Sequence, residues 1–372
     1  MKPFYLNTLL TTLGLRLGRS YAAPSIRAVN AFMLTIVIIT LTVGSFNSIY
    51  AIVAIECRHV AKANLFFRLS ALSVIFHSTL WQSDKMYDFI LKVRKMSTNK
   101  RGELWFRRCD QLVTMVLVVH WLVMNVIMVM NSIHGGRYAS LLLSGTDITA
   151  LRLSSTLSMI MGILGYHSVI FMYSACSGLF LIVFIDVILA VKRTIALVET
   201  EPRIVEIDKL RMVYNDVNSL VQEFSAIFGP FPLAQISYVF LSVSLRFTDL
   251  IIHEDEYTAI HGAEILFYET ISGLVISMVI IFLASHLQKC MEQLRETVLV
   301  SISQTPCDQL GDHLCKWSFM VDLVLKPIPS VSACGTFTLD RRFALKFIGA
   351  LVPFTVMAVT TMVQIQRGKT LI

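Results

Sequence analysis

The 372-residue chain is 55% hydrophobic and only 15% charged, with a formal net charge of +7. Soluble globular domains contain roughly 25% charged residues, so this composition excludes the soluble class and predicts an all-α, polytopic membrane protein. Seven long stretches lack charged side chains, and about 20 apolar residues in a helix cross a bilayer core. In chain order, the seven predicted transmembrane helices cover residues 28–55, 69–83, 111–136, 153–185, 224–245, 270–288 and 347–366.

The positive charges predict how these helices are oriented. Of the 32 Lys and Arg residues, 24 precede the first span or follow the second, fourth and sixth, and 8 lie on the opposite side. Cytoplasmic segments near spans retain the excess of Lys and Arg. The amino terminus is therefore predicted in the cytoplasm and the carboxyl terminus outside, the reverse of a G-protein-coupled receptor. The net positive charge thus indicates membrane orientation, and no nucleic-acid partner is expected.

Several predicted helices continue into the cytoplasm. Apolar residues recur at helical spacing from Leu210 to Ile227, on a helix that leads into the fifth span, with a kink expected at Gly229-Pro230. The sixth span extends inward through Leu294 and Val298. A further helix has an apolar stripe that consists of Leu310, Leu314, Trp317, Met320 and Val324. We expect these helices to pack on each other and on neighbouring subunits as a cytoplasmic anchor.

Catalysis and metal binding have little support in the sequence. The nine histidines are scattered, and the best trio of metal ligands, Cys307, His313 and Cys315, lies on the predicted cytoplasmic linker between the sixth and seventh spans. We therefore predict that the chain is not an enzyme and has no metal or cofactor. Ion-coupled transport would require intramembrane acids and matching halves, which seven spans do not provide.

The last predicted span has a polar stripe. Met357, Thr360, Thr361 and Gln364 stand at i, i+3, i+4 and i+7 and share one helical face. Around a symmetry axis, this face would line an aqueous pore with hydroxyl and amide groups, and Met357 would form an apolar constriction. The alternative is that these groups bond to neighbouring helices or mark the membrane interface.

The fifth loop is acidic. Six Asp and Glu residues follow Arg246, up to and including Glu269. Such a rim would concentrate cations at a pore mouth, although a solvated loop that avoids positive charge gives the same pattern.

The carboxyl-terminal region resembles the signature end of insect gustatory receptors. The residues that carry the resemblance are Ser-Ala-Cys-Gly at 332–335, Thr-Phe-Thr-Leu-Asp-Arg at 336–341 and Phe-Ile-Gly-Ala at 347–350. That family ends in Thr-Tyr, five apolar residues and Gln-Phe. Here Pro353-Phe354 and Thr360-Thr361 take the places of the two polar-aromatic pairs, and Gln364 lies one turn further on. The departure favours a divergent member of the bitter-tuned group, with a bitter plant metabolite as the ligand.

The resemblance implies a ligand-gated, non-selective cation channel for taste, in the plasma membrane of a sensory neuron. It implies a homotetramer or a hetero-oligomer with related receptors, surrounded by membrane lipid. Phe354, Met357, Thr360, Thr361 and Gln364 are then the pore and gate residues, with cations as the permeant species. The alternatives are a G-protein-coupled receptor and a membrane transporter.

The resemblance also places tastant binding in the outer half of the bundle. With the predicted topology, the candidate ligand residues there have polar or aromatic side chains. They are Asn125, Tyr166, His167, Tyr238, Ser242 and Tyr268. Aromatic residues at this depth also form membrane belts, which is the other reading of the tyrosines.

The chain is predicted to form one receptor-channel domain over residues 1–372. Residues 28–300 form transmembrane helices 1–6 with their cytoplasmic extensions. Residues 301–372 form the anchor helix and the pore-lining helix 7.

Overall fold

The computed structural model of the protein describes residues 31–32, 34–35, 70–71, 73–97, 108, 110–116, 118–119, 122–123, 126, 172–200, 207–252, 263–304 and 310–369. Helix dominates this part of the chain, in agreement with the predicted class. The helices are α1 (Ser83–Ser97), α2 (Met172–Thr200), α3 (Ile207–Phe228), α4 (Pro230–Ile252), α5 (Ala263–Gln304), α6 (Leu310–Leu325) and α7 (Arg341–Lys369). Two short strands, β1 (Ser332–Ala333) and β2 (Phe337–Thr338), pair between α6 and α7 and were not predicted.

Some of the helices are long and apolar enough to cross a membrane. Within the described residues these are Ser174–Thr200 and Ile271–Gln304, with a third if the bent pair Ile207–Phe228 and Pro230–Ser244 forms one span. Both α2 and α5 run past the predicted span ends, because a helix does not need to stop where its side chains become amphipathic. Most of the first, third and fourth predicted spans lies outside the described residues.

A cluster of phenylalanine rings joins four of the helices. Its members come from α1, α2, α3 and the start of α4, and neighbouring ring centroids are 4.7 to 6.0 Å apart. They are Phe89, Phe180, Phe184, Phe224, Phe228 and Phe231. Aromatic pairs at such distances stabilise by about 0.5–1.5 kcal/mol each beyond their burial. The cluster therefore fixes how α1 and α3 lie against α2.

The buried faces of α3 and α5 are the predicted ones. Leu210, Val217 and Phe224 of α3 are buried, as are Leu294 and Val298 of α5. The helix pairs in contact include α2 with α5, α2 with α3, and α3 with α5. The predicted packing of these helices on each other is confirmed, and their cytoplasmic location stays a prediction.

The chain bends by 52° between α3 and α4. Gly229 is the single residue between the two helices, and its N–H still donates to the Ser225 carbonyl at 2.9 Å. Pro230 and Pro232 have no N–H to continue the helical ladder. The expected kink is confirmed, and it redirects α4 away from the axis of α3.

A small hairpin fills the inside of this bend. Ser332 pairs with Thr338 and Ala333 with Phe337, and the turn residues Cys334 and Gly335 have φ of 52° and 72°. The connection has three residues, 334–336, and the Thr336 N–H donates to the Ala333 carbonyl at 2.9 Å. Cys334 and Gly335 are therefore the two central residues of a β-turn, and two positive φ values there are typical of type I′. The N–H of Ser332 donates to Ser225 Oγ at 2.9 Å, which ties the hairpin to α3.

The hairpin leads directly into α7. Leu339 is fully buried and donates its N–H to the Val331 carbonyl, and Asp340 Oδ1 accepts the N–H of Phe343 at 2.6 Å. The Asp side chain thereby caps the amino terminus of α7. The signature that carries the family resemblance thus builds the hairpin and the start of α7.

The existence of α6 is confirmed, and only part of its predicted stripe packs on the same chain, so its packing on neighbouring subunits stays a prediction. Phe319 and Leu323 are its buried residues, with the Arg211 guanidinium carbon 5.8 Å from the centre of the Phe319 ring. From the predicted stripe, Leu314, Trp317 and Val324 are exposed on the single chain. Hydrophobic periodicity showed that a stripe exists but not whether its partner is in the same chain.

Candidate functional site

The polar stripe on α7 lies on a helix face that is exposed in the described part of the structure. Met357 is 57% exposed, and Thr360 and Gln364 are also exposed. The Thr360 hydroxyl lies 3.0 Å from the Val356 carbonyl oxygen and 2.9 Å from that of Met357, within reach of either as a donor. The Thr360 hydroxyl therefore donates its hydrogen bond within α7, and its oxygen can still accept a hydrogen bond from water. The side chain of Thr361 lies outside the described set.

Phe354 lies on the other side of the helix. Its ring centroid is 5.1 Å from that of Phe240 on α4, and Phe347 approaches the same ring at 5.9 Å. Thr355 Oγ1 donates to the Leu351 carbonyl at 2.7 Å and lies 3.3 Å from Ser244 Oγ. These contacts bind α7 to α4 and thereby aim the polar stripe outward.

Pro353 lies within α7, on the same open face. Because proline has no N–H, the carbonyl of Gly349 loses its helical donor. A Cβ added at Gly349 would have no atom of the described residues within 4 Å. The helical hydrogen bonding of α7 is therefore weakened at Gly349, and there is free space beside this residue.

The opposite face of α4 holds buried polar groups. Gln235 is fully buried, and its Nε2 donates to the Gly273 carbonyl at 3.2 Å, with Ser277 Oγ at 3.5 Å. The Gly273 carbonyl can only accept, which leaves Gln235 Oε1 pointing away without a partner among the described residues. A Cβ at Gly273 would lie 3.0 Å from Val239 Cγ2, so this glycine permits the close approach of α4 and α5.

Two of the predicted ligand residues share this face. Tyr238 and Ser242 are one turn apart on α4 and are both buried, Ser242 to 1% exposure. Ser242 Oγ has no hydrogen-bond partner within the described part of the chain. A buried hydroxyl without a partner costs about 1–3 kcal/mol, so a bound molecule with a polar group would recover that energy.

The remaining ligand residues are not brought together by the described structure. Asn125, Tyr166 and His167 lie outside the described residues, and for Tyr268 only the helical backbone of α5 is described. The acidic side chains of the fifth loop lie outside it too. No group of three or more His, Cys, Asp or Glu residues that could hold a metal occurs among the residues searched.

Gln235 and Ser277 were not among the functional residues predicted from the sequence. Both are polar residues inside predicted spans, the fifth and the sixth, and that position was the available signal. A polar side chain within a transmembrane helix is expensive and usually turns toward a partner or a cavity.

Known proteins share this architecture. The family model described as 7tm Chemosensory receptor matches residues 3–359. Two solved structures of the insect olfactory receptor OR5 from Machilis hrabei, one of them in complex with eugenol, are similar to this chain with a TM-score of 0.64. In each case 96% of this chain and 96% of the olfactory receptor chain are covered, at 9% sequence identity, so the likeness is one of fold. No curated protein sequence matches significantly.

Proposed function

Because the chain belongs to the 7tm chemosensory receptor family, we propose that it is a gustatory receptor: a ligand-gated, non-selective cation channel opened by a small-molecule tastant. The members of this insect family are ligand-gated cation channels and not enzymes. The prediction that the chain is not an enzyme is therefore confirmed. The taste role is supported by the carboxyl-terminal signature, whose residues build the hairpin and the start of α7.

The observation that carries the channel proposal is the two-sided character of α7. Phe347 and Phe354 hold one side against α4, while Met357, Thr360 and Gln364 occupy the open side. In four copies around an axis, the open sides would enclose a path lined by hydroxyl and amide groups. The seven-span topology, the cytoplasmic amino terminus and the homotetramer, or a hetero-oligomer with related receptors, belong to the same proposal.

Ligand binding is proposed on the face of α4 that carries Gln235, Tyr238 and Ser242. Ser242 Oγ and Gln235 Oε1 are buried acceptors that lack partners among the described residues, and Tyr238 lies between them. Asn125, Tyr166, His167 and Tyr268 complete the proposed site from other spans. The olfactory receptor of the same fold was solved with eugenol, which supports a small molecule as the ligand class here.

Gating then follows from the contacts between α4 and α7. A ligand opens the channel only if it binds the open state more tightly than the closed state. A movement of α4 would reach α7 through the Phe240–Phe354 ring contact and the Ser244–Thr355 oxygen contact. Both contacts lie between the proposed ligand site and the polar stripe.

The experiment is to reconstitute the purified full-length chain in planar bilayers and apply a panel of bitter plant metabolites and sugars. The expected result is a ligand-evoked current with the same reversal potential in sodium and potassium solutions. Activity that requires an added G protein, together with an amino-terminal tag accessible on intact cells, would contradict the proposal in favour of a G-protein-coupled receptor. Saturable tracer uptake without single-channel steps would favour a transporter.

A further inference from the structure

The exposed side chains of α5 form a stripe that changes from apolar to basic along the helix. Its first four members are apolar, and an imidazole and an ammonium group follow them. In chain order the stripe consists of Ile271, Val275, Val279, Phe282, His286 and Lys289, which are exposed in the described part of the structure. Spacings of three and four residues keep these side chains on one side of the helix. The helical rise makes the stripe about 27 Å long.

The neighbouring helix α2 has a matching stripe. Leu181, Ile185 and Leu189 are half-buried along it, and the exposed Lys192 follows at the same spacing. The charged residue of α2 that precedes this lysine is Asp186, which is 3% exposed and lies on another face of the helix. Lys192 stands about 30 Å from the first residue of α2, close to the thickness of a bilayer core. Both stripes therefore become basic where a membrane-spanning helix would leave the hydrocarbon.

The basic ends of the two stripes lie together. The positive charges of Lys192 and Lys289 both act on the imidazole of His286, so Lys192 reaches from α2 to the basic end of α5. The nearest acid that follows on α5 is Glu292, and its Oε1 accepts a hydrogen bond from Gln288 Nε2 at 3.4 Å. Two lysines and a histidine thus form a positive cluster at one level of this helix pair.

This surface lies away from the proposed pore. On α5, Gly273 and Ser277 are the residues that approach Gln235 of α4. They are displaced by about half a turn from the exposed stripe, so the stripe is on the side of α5 that faces away from α4. The proposed pore helix α7 packs on α4 through the Phe240–Phe354 ring contact. The positive cluster is therefore separate from the polar stripe on α7 and from the ligand residues proposed on α4.

We propose that the surface between α2 and α5 binds an anionic phospholipid, with its phosphate at Lys192 and Lys289 and an acyl chain along the apolar part of the α5 stripe. A soluble anion would cover only the basic end, whereas a phospholipid matches both parts. The lysine stems can follow apolar surface while their amines reach the headgroup. The His286 imidazole can donate a further hydrogen bond to it. The predicted topology puts this end of both helices at the cytoplasmic leaflet, where anionic lipids concentrate.

Native mass spectrometry of the purified full-length chain, titrated with phosphatidylserine and separately with phosphatidylcholine, tests the headgroup. One basic residue near an anionic headgroup contributes about fivefold in affinity. Lys192→Gln and Lys289→Gln should therefore each weaken phosphatidylserine binding by about fivefold, and the double variant by about 25-fold. Phosphatidylcholine binding should not change. The double variant with arginine at both positions keeps the charges and should bind phosphatidylserine as the native chain does.

The matched control is Lys85→Gln on α1. Lys85 is exposed and also follows a predicted span, but it is flanked by Asp84 and by Asp88 one turn further on. Its charge is therefore offset locally, and its loss should change the binding of neither lipid. Thermal unfolding in detergent without added lipid should be the same for the native chain and the double glutamine variant, because both lysine side chains are exposed.

The acyl-chain part is tested by photolabelling in phosphatidylcholine vesicles that contain a trace of phosphatidylserine with a diazirine in its acyl chain. The native chain and the double arginine variant should be labelled at residues 271–282 or 181–189. In the double glutamine variant this labelling should fall to the level given by a phosphatidylcholine probe.

Three results would overturn the proposal. The first is equal binding of the two lipids, unaffected by the double glutamine substitution. The second is competition by glycerophosphoserine as effective as that of the intact lipid, which would make the cluster a site for a soluble phosphate. The third is a change of oligomeric state in the double glutamine variant with no change in lipid labelling, which would assign the surface to a second copy. None of these measurements uses ionic current, so failure here leaves the channel proposal untouched.

Discussion

Two buried serines on α4, two residues apart, differ in how their hydroxyl groups are satisfied. Ser244 Oγ donates to the Phe240 carbonyl at 3.0 Å and lies near Thr355 Oγ1 of α7. Ser242 Oγ is equally buried but has no partner among the described residues. An unsatisfied buried group lowers stability, whereas a satisfied one contributes about 1 kcal/mol. The two positions therefore respond in opposite directions to the loss of the hydroxyl.

Ser242→Ala is expected to leave the ligand-free protein as stable as the native chain or more stable by about 1 kcal/mol, because the substitution removes an unpaired polar atom. It should also raise the concentration of agonist for half-maximal current, by roughly tenfold if one hydrogen bond to the ligand is lost. Thermal unfolding in detergent and dose–response recordings measure the two effects. Ser244→Ala is the control and should lower stability. A destabilised Ser242→Ala would show that Ser242 has a structural role instead.

The stripe on α7 gives a second prediction at this scale. Gln364→Glu places a carboxylate on the open face without changing side-chain size, and a ring of acids attracts cations. The permeability ratio of sodium to chloride should rise relative to the native channel, measured by reversal potentials in dilution gradients. Ile348→Glu, on a different face of the same helix, serves as the control and should leave the ratio unchanged. An unaltered ratio in Gln364→Glu would remove this residue from the pore.

Single residues were only partly predictable from the sequence. The spacing of Met357, Thr360 and Gln364 predicted one shared face, because helical periodicity alone decides which side chains lie together. Gln235 and Gly273 were missed, since hydropathy does not tell which two helices approach closely. The contact of Phe354 with Phe240 could not be predicted either, because it depends on how α7 is rotated about its axis relative to α4.

Among the elements, the bend between α3 and α4 has the tightest packing constraint. A Cβ at Gly229 would lie 2.5 Å from the Ser225 carbonyl oxygen, 3.0 Å from the Cys334 nitrogen and 3.2 Å from the Ser332 carbonyl oxygen. All three are backbone atoms, which cannot rotate away as a side chain could. The hairpin can therefore sit inside the bend only if residue 229 is glycine, and this contact links α3 to the segment that starts α7.

Gly229→Ala is expected to destabilise the protein by about 1–3 kcal/mol, in the range of overpacking, as the hairpin is pushed off the bend. Gly349→Ala is the matched control, since its Cβ has open space and alanine is the better helix former by roughly 0.5–1 kcal/mol. Thermal unfolding of both variants in the same detergent provides the comparison. Equal melting temperatures for Gly229→Ala and the native chain would contradict the tight docking.

The element boundaries show what sequence patterns can and cannot predict. The repeats along α3 and the inward part of α5 predicted their buried faces, and Gly-Pro predicted the bend, because each is a local property. The angle of 52° and the hairpin at residues 332–338 were not predicted. Both depend on a contact between segments more than 100 residues apart, such as that of Ser225 with Ser332.

At the scale of the whole molecule, α6 presents apolar surface that the single chain does not cover. Leu314, Trp317, Val324 and Leu325 are exposed, and Trp317 retains 68% of its accessible surface. Large exposed apolar patches mark interaction surfaces. In the predicted topology this helix lies in the cytoplasm, where lipid cannot cover it, so we expect a neighbouring copy to do so.

Trp317→Glu is therefore expected to weaken the oligomer, because interface tryptophans often contribute 2 kcal/mol or more and the carboxylate would be buried unpaired. Native mass spectrometry or mass photometry of the full-length chain in nanodiscs should show a shift from tetramer toward smaller species. Met212→Glu, an exposed apolar position on α3, provides the control. A tetramer that persists in Trp317→Glu would assign the exposed stripe to another role.

The contact of Gly273 with Val239 has a mechanical consequence for α5. This helix has 42 residues and is about 63 Å long, with roughly 15 Å on one side of Gly273 and 46 Å on the other. If α5 tilts as a rigid helix about its close contact with α4 at Gly273, its two ends move in opposite directions. The end at Gln304 then moves about three times as far as the end at Ala263. A sub-ångström adjustment near Ala263 would then become a displacement of ångström size around Gln304, next to α6.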